Sequence, residues 1–189
     1  MRILALDPGL TNPAVAVIVD GELEFAERVS VPKKVRKLEI LARCDALAEL
    51  IVARGAPMHI NGPAWTTPPD VLVVEWPQWY GDNQKGIDPN DLAGLCGIAG
   101  AVLGRLRVLY PYRPIIARSP VPRDVWGALP KATKGDPWAS PRGQRLVDRL
   151  SPAERARVQS KHDALDAAGL ALWAAGRWKS RRLYPGAVE

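Results

Sequence analysis

The feature that most constrains this fold is a carboxylate placed at the inner end of a very apolar strand. Residues 2–6 (RILAL) have the composition of a buried β-strand, and the chain then runs directly into Asp7. An unpaired carboxylate is costly to bury, so a basic partner, a shared proton or a metal ion must neutralise it. The chain therefore has to bring other groups to Asp7 from elsewhere in the sequence.

Asp7 belongs to a predicted group of strands at the N-terminus. Apolar runs predict an antiparallel meander of three strands near residues 2–8, 13–20 and 22–31. Asp20-Gly21 is a hairpin signal between the last two strands. Apolar residues at helical spacing then predict one helix over 33–54, closed by Gly55.

A second carboxylate follows another apolar run. Val71-Leu72-Val73-Val74 is typical of a central parallel strand, and Glu75 stands directly after it. Segment 56–69 is a proline-rich loop before that strand. The remaining elements are predicted as a helix over about 88–105, a strand at 115–117 and a last helix over about 161–178.

Two capping patterns precede helices near the C-terminus. Ser151-Pro152-Ala153-Glu154 combines an N-cap, a proline at the first helical position and a glutamate three residues on. Ser160-x-x-Asp163 predicts a second capping box, at the start of the last helix.

Four acids at strand and helix ends are candidates for one site: Asp7, Glu75, Asp163 and Asp166. The last two are three residues apart, so they share a helix face, and the positive end of the helix dipole keeps them ionised. If the first and fourth strands are parallel neighbours, their carboxyl ends bring the first two side by side, where ligands of α/β sheets gather.

Such a group of carboxylates repels itself unless cations lie between the acids. Oxygen-only donors select hard ions such as Mg²⁺ or Mn²⁺. Two such ions about 4 Å apart are the usual means of hydrolysing phosphodiesters. We therefore expect all four acids to be catalytic and to hold two Mg²⁺ ions, with Mn²⁺ as a substitute. His162, beside them, is either a base or outer ligand or a solvated helix residue.

The order of these motifs resembles the RuvC-type Holliday junction resolvases, which belong to the RNase H-like nuclease superfamily. The matching segments are Asp7-Pro8-Gly9, Val74-Glu75 and Asp163-Ala164-Leu165-Asp166, and the resemblance covers about residues 2–178. It implies an α/β fold with a five-stranded mixed sheet, three strands antiparallel and then two parallel, flanked by α-helices. It also implies a homodimer and Mg²⁺-dependent nicking of four-way DNA junctions.

The sequence departs from the family pattern in several places. Thr11-Asn12-Pro13-Ala14 stands where the resolvases usually have a glycine, and Trp126 stands where a lysine is often found. Segments 57–69 and 131–141 are enlarged loops. These departures indicate a divergent branch, such as a phage-encoded form.

Contacts to branched DNA are predicted on both aromatic and basic residues. Trp79 and Tyr80 follow Glu75 in a polar loop and can stack on unpaired bases, or they can pin the loop to the core. Phosphate contacts, each with a solvated surface charge as its alternative, are expected at Lys85, Arg118, Arg123, Lys131, Lys134, Arg142 and Arg145.

A glycine stripe marks the predicted helix over 88–105. Its members are Gly94, Gly97, Gly100 and Gly104. Missing side chains let a helix approach a neighbour closely, which fits close packing on the sheet. The resemblance instead implies that the stripe is the dimer interface, and we expect it to contribute to both.

Composition sets the wider limits. The 189 residues suit one nuclease domain, 1–178, with a basic tail at 179–189. A net charge of +6 favours a polyanionic partner, and nucleic acid is the first candidate. Cys44 and Cys96 fit the core of a reduced, cytoplasmic protein. We expect no leader and no apolar run of the roughly 18 residues that a membrane span needs.

Other classes of protein stay open at this stage. An RNase H-like nuclease acting on other branched DNA or on RNA–DNA hybrids has the same acids. A nucleotide-binding ATPase fold also begins with an acid and a glycine turn, but it needs a second phosphate loop that we do not find. A junction-binding protein without catalysis does not need four carboxylates.

Overall fold

A five-stranded mixed sheet organises the protein. The computed structural model describes residues 1–55, 68–75, 89–120, 122–127, 129–130 and 134–178. The strands are β1 (Arg2–Asp7), β2 (Ala14–Val19), β3 (Glu22–Arg28), β4 (Val71–Val74) and β5 (Ile116–Arg118). The helices are α1 (Lys33–Arg36), α2 (Ile40–Gly55), α3 (Pro89–Leu109), α4 (Pro122–Trp126), α5 (Pro141–Val147), α6 (Pro152–Ala156) and α7 (His162–Ala174).

The strand order is β3-β2-β1-β4-β5. β1 pairs antiparallel with β2 and parallel with β4, while β3 joins β2 antiparallel and β5 joins β4 parallel. This order confirms the predicted fold class of three antiparallel strands followed by two parallel ones. It places β1, the strand that ends in Asp7, at the centre of the sheet.

The central strands are apolar along their whole length because both faces of the sheet are covered. Side chains at odd positions of β1 and β4, such as Ile3 and Val73, lie in the core cluster that includes α7. Side chains at even positions, such as Leu4 and Leu72, lie in the cluster with α2 and α3. The pleat therefore decides which helices each strand residue meets.

The single helix predicted over 33–54 is wrong, because the structure divides it into α1 and α2. The end of α1 is tightened by two i→i−3 bonds, from the Lys37 N–H to the Lys34 carbonyl (3.3 Å) and from the Leu38 N–H to the Val35 carbonyl (3.2 Å). Leu38 fitted the apolar spacing, but its side chain is exposed and belongs to no buried stripe.

α3 runs four residues beyond its predicted end, to Leu109. Contrary to our expectation, the 18 residues Leu92–Leu109 have a mean hydropathy of 1.6 and are apolar enough to cross a membrane. Five leucines, two valines and an isoleucine in this window keep the hydropathy high. Length and composition alone are weak evidence for a span, and α3 packs on α2 in one core cluster through Ile98, Val102 and Leu106.

α7 is shorter than predicted at its C-terminal end, because the chain closes it with a Schellman motif. The Arg177 N–H donates to the Leu172 carbonyl and the Gly176 N–H to the Trp173 carbonyl, both at 3.0 Å. Gly176 has a φ of +72°, which a glycine adopts without strain.

The two predicted capping boxes have different outcomes. The box at Ser151 and Glu154 is confirmed, because both of its hydrogen bonds are present. The box at Ser160 is wrong, since Lys161 is the N-cap of α7 and makes no side-chain capping bond. Glu154 does more than cap α6: its carboxylate also accepts from the Leu23 N–H and from the Arg177 guanidinium.

Replacing Glu154 by glutamine should therefore destabilise the protein in a pH-dependent way. The bond from Arg177 holds the pKa of Glu154 at about 2, below its ordinary 4.5. Because the folded-state pKa is lowered, this stabilisation is fully present above pH 4.5 and disappears as the pH falls towards 2. We expect Glu154→Gln to cost on the order of 3 kcal/mol at neutral pH. Urea unfolding at neutral and acid pH measures it.

The exposed acid Glu24 on β3 supplies the control. Glu24→Gln should leave the free energy of unfolding almost unchanged at either pH. A loss in Glu154→Gln that is equally large at acid pH would show that the carboxylate charge is not what stabilises the fold.

Candidate active site

Asp7 and Glu75 occupy adjacent positions on neighbouring parallel strands. Leu6 is in register with Val74, and the Glu75 N–H donates to the Leu6 carbonyl at 3.1 Å. Neighbouring strands lie about 4.8 Å apart, so the two acids stand side by side at the carboxyl edge of the sheet. Asp7 is 6% exposed and Glu75 is 8% exposed. The predicted juxtaposition of these two acids is confirmed at the level of the backbone.

The pleat assigns both acids to the face that α7 covers. Ile3, Ala5, Val71 and Val73 all belong to the core cluster on that face. Positions 7 and 75 continue the same alternation by two residues. α7 carries the other two predicted acids, so the four come from three elements that meet at one end of one face of the sheet.

The same row of the sheet contains a basic residue that the sequence analysis missed. Asp7 is in register with Ala14 of β2, and Ala14 is in register with Arg28 of β3. The Arg28 guanidinium approaches Asp163 at 3.8 Å, and both side chains are about one-third exposed or less. An arginine at the end of a strand was a signal, but only the packing of α7 on the sheet shows that it meets Asp163.

Asp166 has a closer basic partner in Arg142 of α5. The Arg142 Nη1 donates to Asp166 Oδ1 at 2.7 Å, and Asp166 is only 1% exposed. This is a buried, charge-assisted hydrogen bond, so each group removes the cost of burying the other. Arg142 is predicted as a phosphate contact, but the structure buries it inside the protein.

Aromatic rings hold this arginine in position. The guanidinium of Arg142 lies 4.8 Å from the ring centroid of Trp126, which meets Trp178 edge to face at 4.7 Å. Arg145 lies 4.8 Å from the Trp178 ring. The two tryptophans therefore lie between two arginines one helical turn apart, and Trp126 is fully buried there.

The donor chemistry of the four acids fits a hard divalent cation, because every ligand atom would be a carboxylate oxygen. Their present arrangement is different: among the residues that the structure describes, no three acidic, imidazole or thiol groups converge closely enough to hold an ion. Two of the acids face arginines instead. The part of the site on α7 is thus neutralised by the protein's own cations.

The other predicted DNA contacts have mixed placements. Arg118 ends β5, in register with Val73, and is exposed at the same edge of the sheet as Glu75. Lys134 is exposed. His162 is partly buried, and its Nε2 has no hydrogen-bond partner within the described ranges, unlike a solvated residue. Predictions that lie outside the described residues or side chains are Trp79, Tyr80, Lys85, Arg123 and Lys131.

The four glycines of the α3 stripe have two different surroundings. A Cβ on Gly94 would meet Ile40 and Leu10 at 3.0 Å, and one on Gly97 would meet Cys44 Sγ at 3.0 Å. These two glycines thus permit close packing within the chain. Gly100 and Gly104 are exposed, and a Cβ on either would meet no atom within 4 Å among the described residues.

The sheet order and the acids at its carboxyl edge define an RNase H-like fold. Among solved structures, RuvC-type resolvases have this fold. Thermus thermophilus RuvC in complex with a Holliday junction substrate aligns over 95% of this chain and 99% of its own, with a TM-score of 0.54 and 19% identity. The yeast mitochondrial Holliday junction resolvase aligns over 93% of this chain and 78% of its own, with a TM-score of 0.53 and 13% identity. No protein-family model and no curated protein sequence matches the chain.

Removing Arg142 should cost more stability than removing Arg145. Arg142→Met leaves Asp166 buried without its closest counter-charge, which typically costs about 3–5 kcal/mol. Arg145→Met removes a cation–π contact from the same helix, worth about 0.5–2 kcal/mol. Urea unfolding of the two variants measures the difference.

A second substitution separates charge from packing. In Arg142→Met with Asp166→Leu, no charge is left buried, so we expect most of the lost stability to return. Equal losses in the two single variants, with no recovery in the double variant, would contradict the role of the ion pair.

Proposed function

We propose that this protein is a structure-selective DNA endonuclease that resolves four-way junctions by paired, symmetric nicks. The observation that carries the proposal is the pair of buried acids, Asp7 and Glu75, at adjacent strand ends with the acids of α7 on the same face of the sheet. The fold supports it, because the solved structures that share it include resolvases. The net charge of +6 suits a DNA substrate.

The four acids would hold two Mg²⁺ ions, with Mn²⁺ as a substitute. Bound there, the ions would supply the Lewis acidity that phosphodiester hydrolysis needs. The chain contributes the rest. The sheet edge fixes the spacing of Asp7 and Glu75, and their burial limits the access of competing water. Arg142 donates to Oδ1 and balances the charge of Asp166, so its guanidinium would compete with a cation for this carboxylate.

Paired nicks require two active sites related by a dyad, so we propose a homodimer. The exposed part of the glycine stripe supports α3 as the contact. Gly100 and Gly104 are four residues apart and lie on one helix face, with Val108 one turn further and 80% exposed. Only 22% of the apolar 18-residue window of α3 is buried within the chain, which leaves apolar surface for a second copy.

Substitution of the strand-end acids should separate cutting from binding. We expect Asp7→Asn and Glu75→Gln each to abolish cleavage of a four-way junction, and chelation of divalent cations to do the same. Binding should be kept or tightened, since each change removes a negative charge from a protein that binds a polyanion. Gel assays of nicking and of binding on the same labelled junction measure both.

An exposed acid at the opposite edge of the sheet is the matched control. Asp20 pairs with the N-terminal amine, and Asp20→Asn should cut at the wild-type rate. Linear duplex and an RNA–DNA hybrid, tested beside the junction, identify the substrate class. Cleavage of the hybrid in preference to the junction would replace our proposal with the broader one of an RNase H-like nuclease.

Two glycine substitutions should separate dimerisation from folding. Gly104→Leu places a bulky side chain on the proposed contact, where nothing in the described chain obstructs it, so we expect a folded protein shifted towards monomer. Gly97→Leu drives its side chain into Cys44, so we expect a lower melting temperature instead. Sedimentation velocity and thermal unfolding measure the two effects. A wild-type protein that sediments as a monomer while making paired nicks would disprove the dimer.

A further inference from the structure

α1 carries a dense group of positive charges that the active site does not use. Lys33, Lys34, Arg36 and Lys37 fall within five residues, and all four are exposed. None of them forms an ion pair with any part of the chain that the structure describes. Several arginines elsewhere in the described chain pair with acids instead, such as Arg28 with Asp163, Arg54 with Glu27 and Arg105 with Asp45.

The strand pairing places α1 at the edge of the sheet that holds the acids. β3 and β1 are both antiparallel to β2, so they run in the same direction and end at the same edge. The chain leaves β3 at Arg28, which lies in the row of Asp7, and the Val29 N–H donates to the Pro13 carbonyl at 2.8 Å. Val31 and Val35 are buried in the cluster with α2, on the face of the sheet opposite to the acids, and they anchor α1 at this edge.

The charges of α1 share a direction. Lys33, Arg36 and Lys37 are related by i, i+3 and i+4, so they form one face of the short helix. Val35, the buried residue, points elsewhere. Lys34 lies outside this face and lines a groove beside Leu50 of α2. The exposed face of α1 is therefore a compact cluster of three cations held by an apolar anchor.

A second cation stands on the far side of the acids. Arg118 is exposed at the end of β5, at the same edge. Four strand intervals of about 4.8 Å separate β3 from β5, so the edge is about 19 Å wide, with Asp7 and Glu75 between its basic ends. Duplex DNA carries one phosphate charge per roughly 1.7 Å of its axis, so one arm laid along this edge offers phosphates to both ends.

We propose that α1 is a binding site for the phosphate backbone of one duplex arm of the DNA, at the edge of the sheet that holds Asp7 and Glu75. The inference rests on the proposed function and adds the position of the arm on the protein. Lysines and an arginine on an exposed face make sequence-independent phosphate contacts, so α1 contributes affinity and register without base preference.

The test compares two double variants that lose equal charge. Lys33→Gln with Arg36→Gln removes two cations from the face of α1 and keeps Val35. Arg113→Gln with Arg149→Gln removes two exposed cations from the opposite edge of the sheet. Arg113 lies there because it precedes β5. Arg149 lies there because its carbonyl accepts from Arg177, which also donates to Gly21 in the turn between β2 and β3.

Fluorescence anisotropy of a labelled four-way junction, titrated over a range of salt without divalent cations, gives the affinity and its salt dependence. Each phosphate contact contributes about 0.9 to the slope of log K against log salt, so the α1 variant should lose about 2 from the slope. The opposite-edge variant should keep the wild-type slope. Melting temperatures of all three proteins show whether each is folded. If a double variant does not fold, the single Gln variants replace it, and each single α1 variant should lose about 0.9 from the slope.

The results distinguish the inference from the function on which it rests. If the wild-type protein binds the junction and the α1 variant keeps the wild-type slope of log K against log salt, the role of α1 is overturned. The nuclease proposal then still stands. Equal losses in both variants overturn it as well, because net charge rather than position then controls binding. A wild-type protein that binds no branched DNA overturns both.

Discussion

The burial of acids at one end of the sheet is the constraint on which the rest of the structure depends. Asp166 is almost completely removed from water, and it is tolerable there because Arg142 donates to it at 2.7 Å. The arginine is itself buried, so it needs surroundings that accept a cation without water, and the face of Trp126 provides them. Even a glycine follows from this arrangement: a Cβ on Gly169 of α7 would lie 2.2 Å from the Trp126 ring.

Much of the fold could be predicted because its signals are local. Continuous apolar runs identified β1 and β4, Asp20-Gly21 identified the hairpin, and the acids could be found because each directly follows a run or begins a helix. The ion pairs could not be predicted, since Arg142 and Asp166 are 24 residues apart, and Arg28 meets Asp163 only because α7 packs on the sheet. A basic residue in a sequence carries no sign of whether it faces solvent, DNA or a buried acid.

Errors in the prediction have a common physical origin in tertiary packing. The helix over 33–54 had an unbroken apolar period, but Val35 anchors one short helix at the sheet edge and a separate stripe from Cys44 onwards packs α2. The four glycines of α3 looked equivalent in the sequence. Only the position of α2 distinguishes the two that permit close packing, Gly94 and Gly97, from the two that face outwards.

In the proposed nuclease, the ion pair of Arg142 with Asp166 would place stability and catalysis in opposition. A carboxylate in a dry site is costly for the ion-free protein, and an arginine that neutralises it stabilises the fold. The guanidinium of Arg142 would also compete with a divalent cation for the Asp166 carboxylate, so cation binding at Asp166 would be weakened by this pair. Sites that hold charges for chemistry commonly trade stability in this way. Among the described residues, this opposition is seen in the hydrogen bond from Arg142 to Asp166, whose two partners come from helices α5 and α7 packed on the same core.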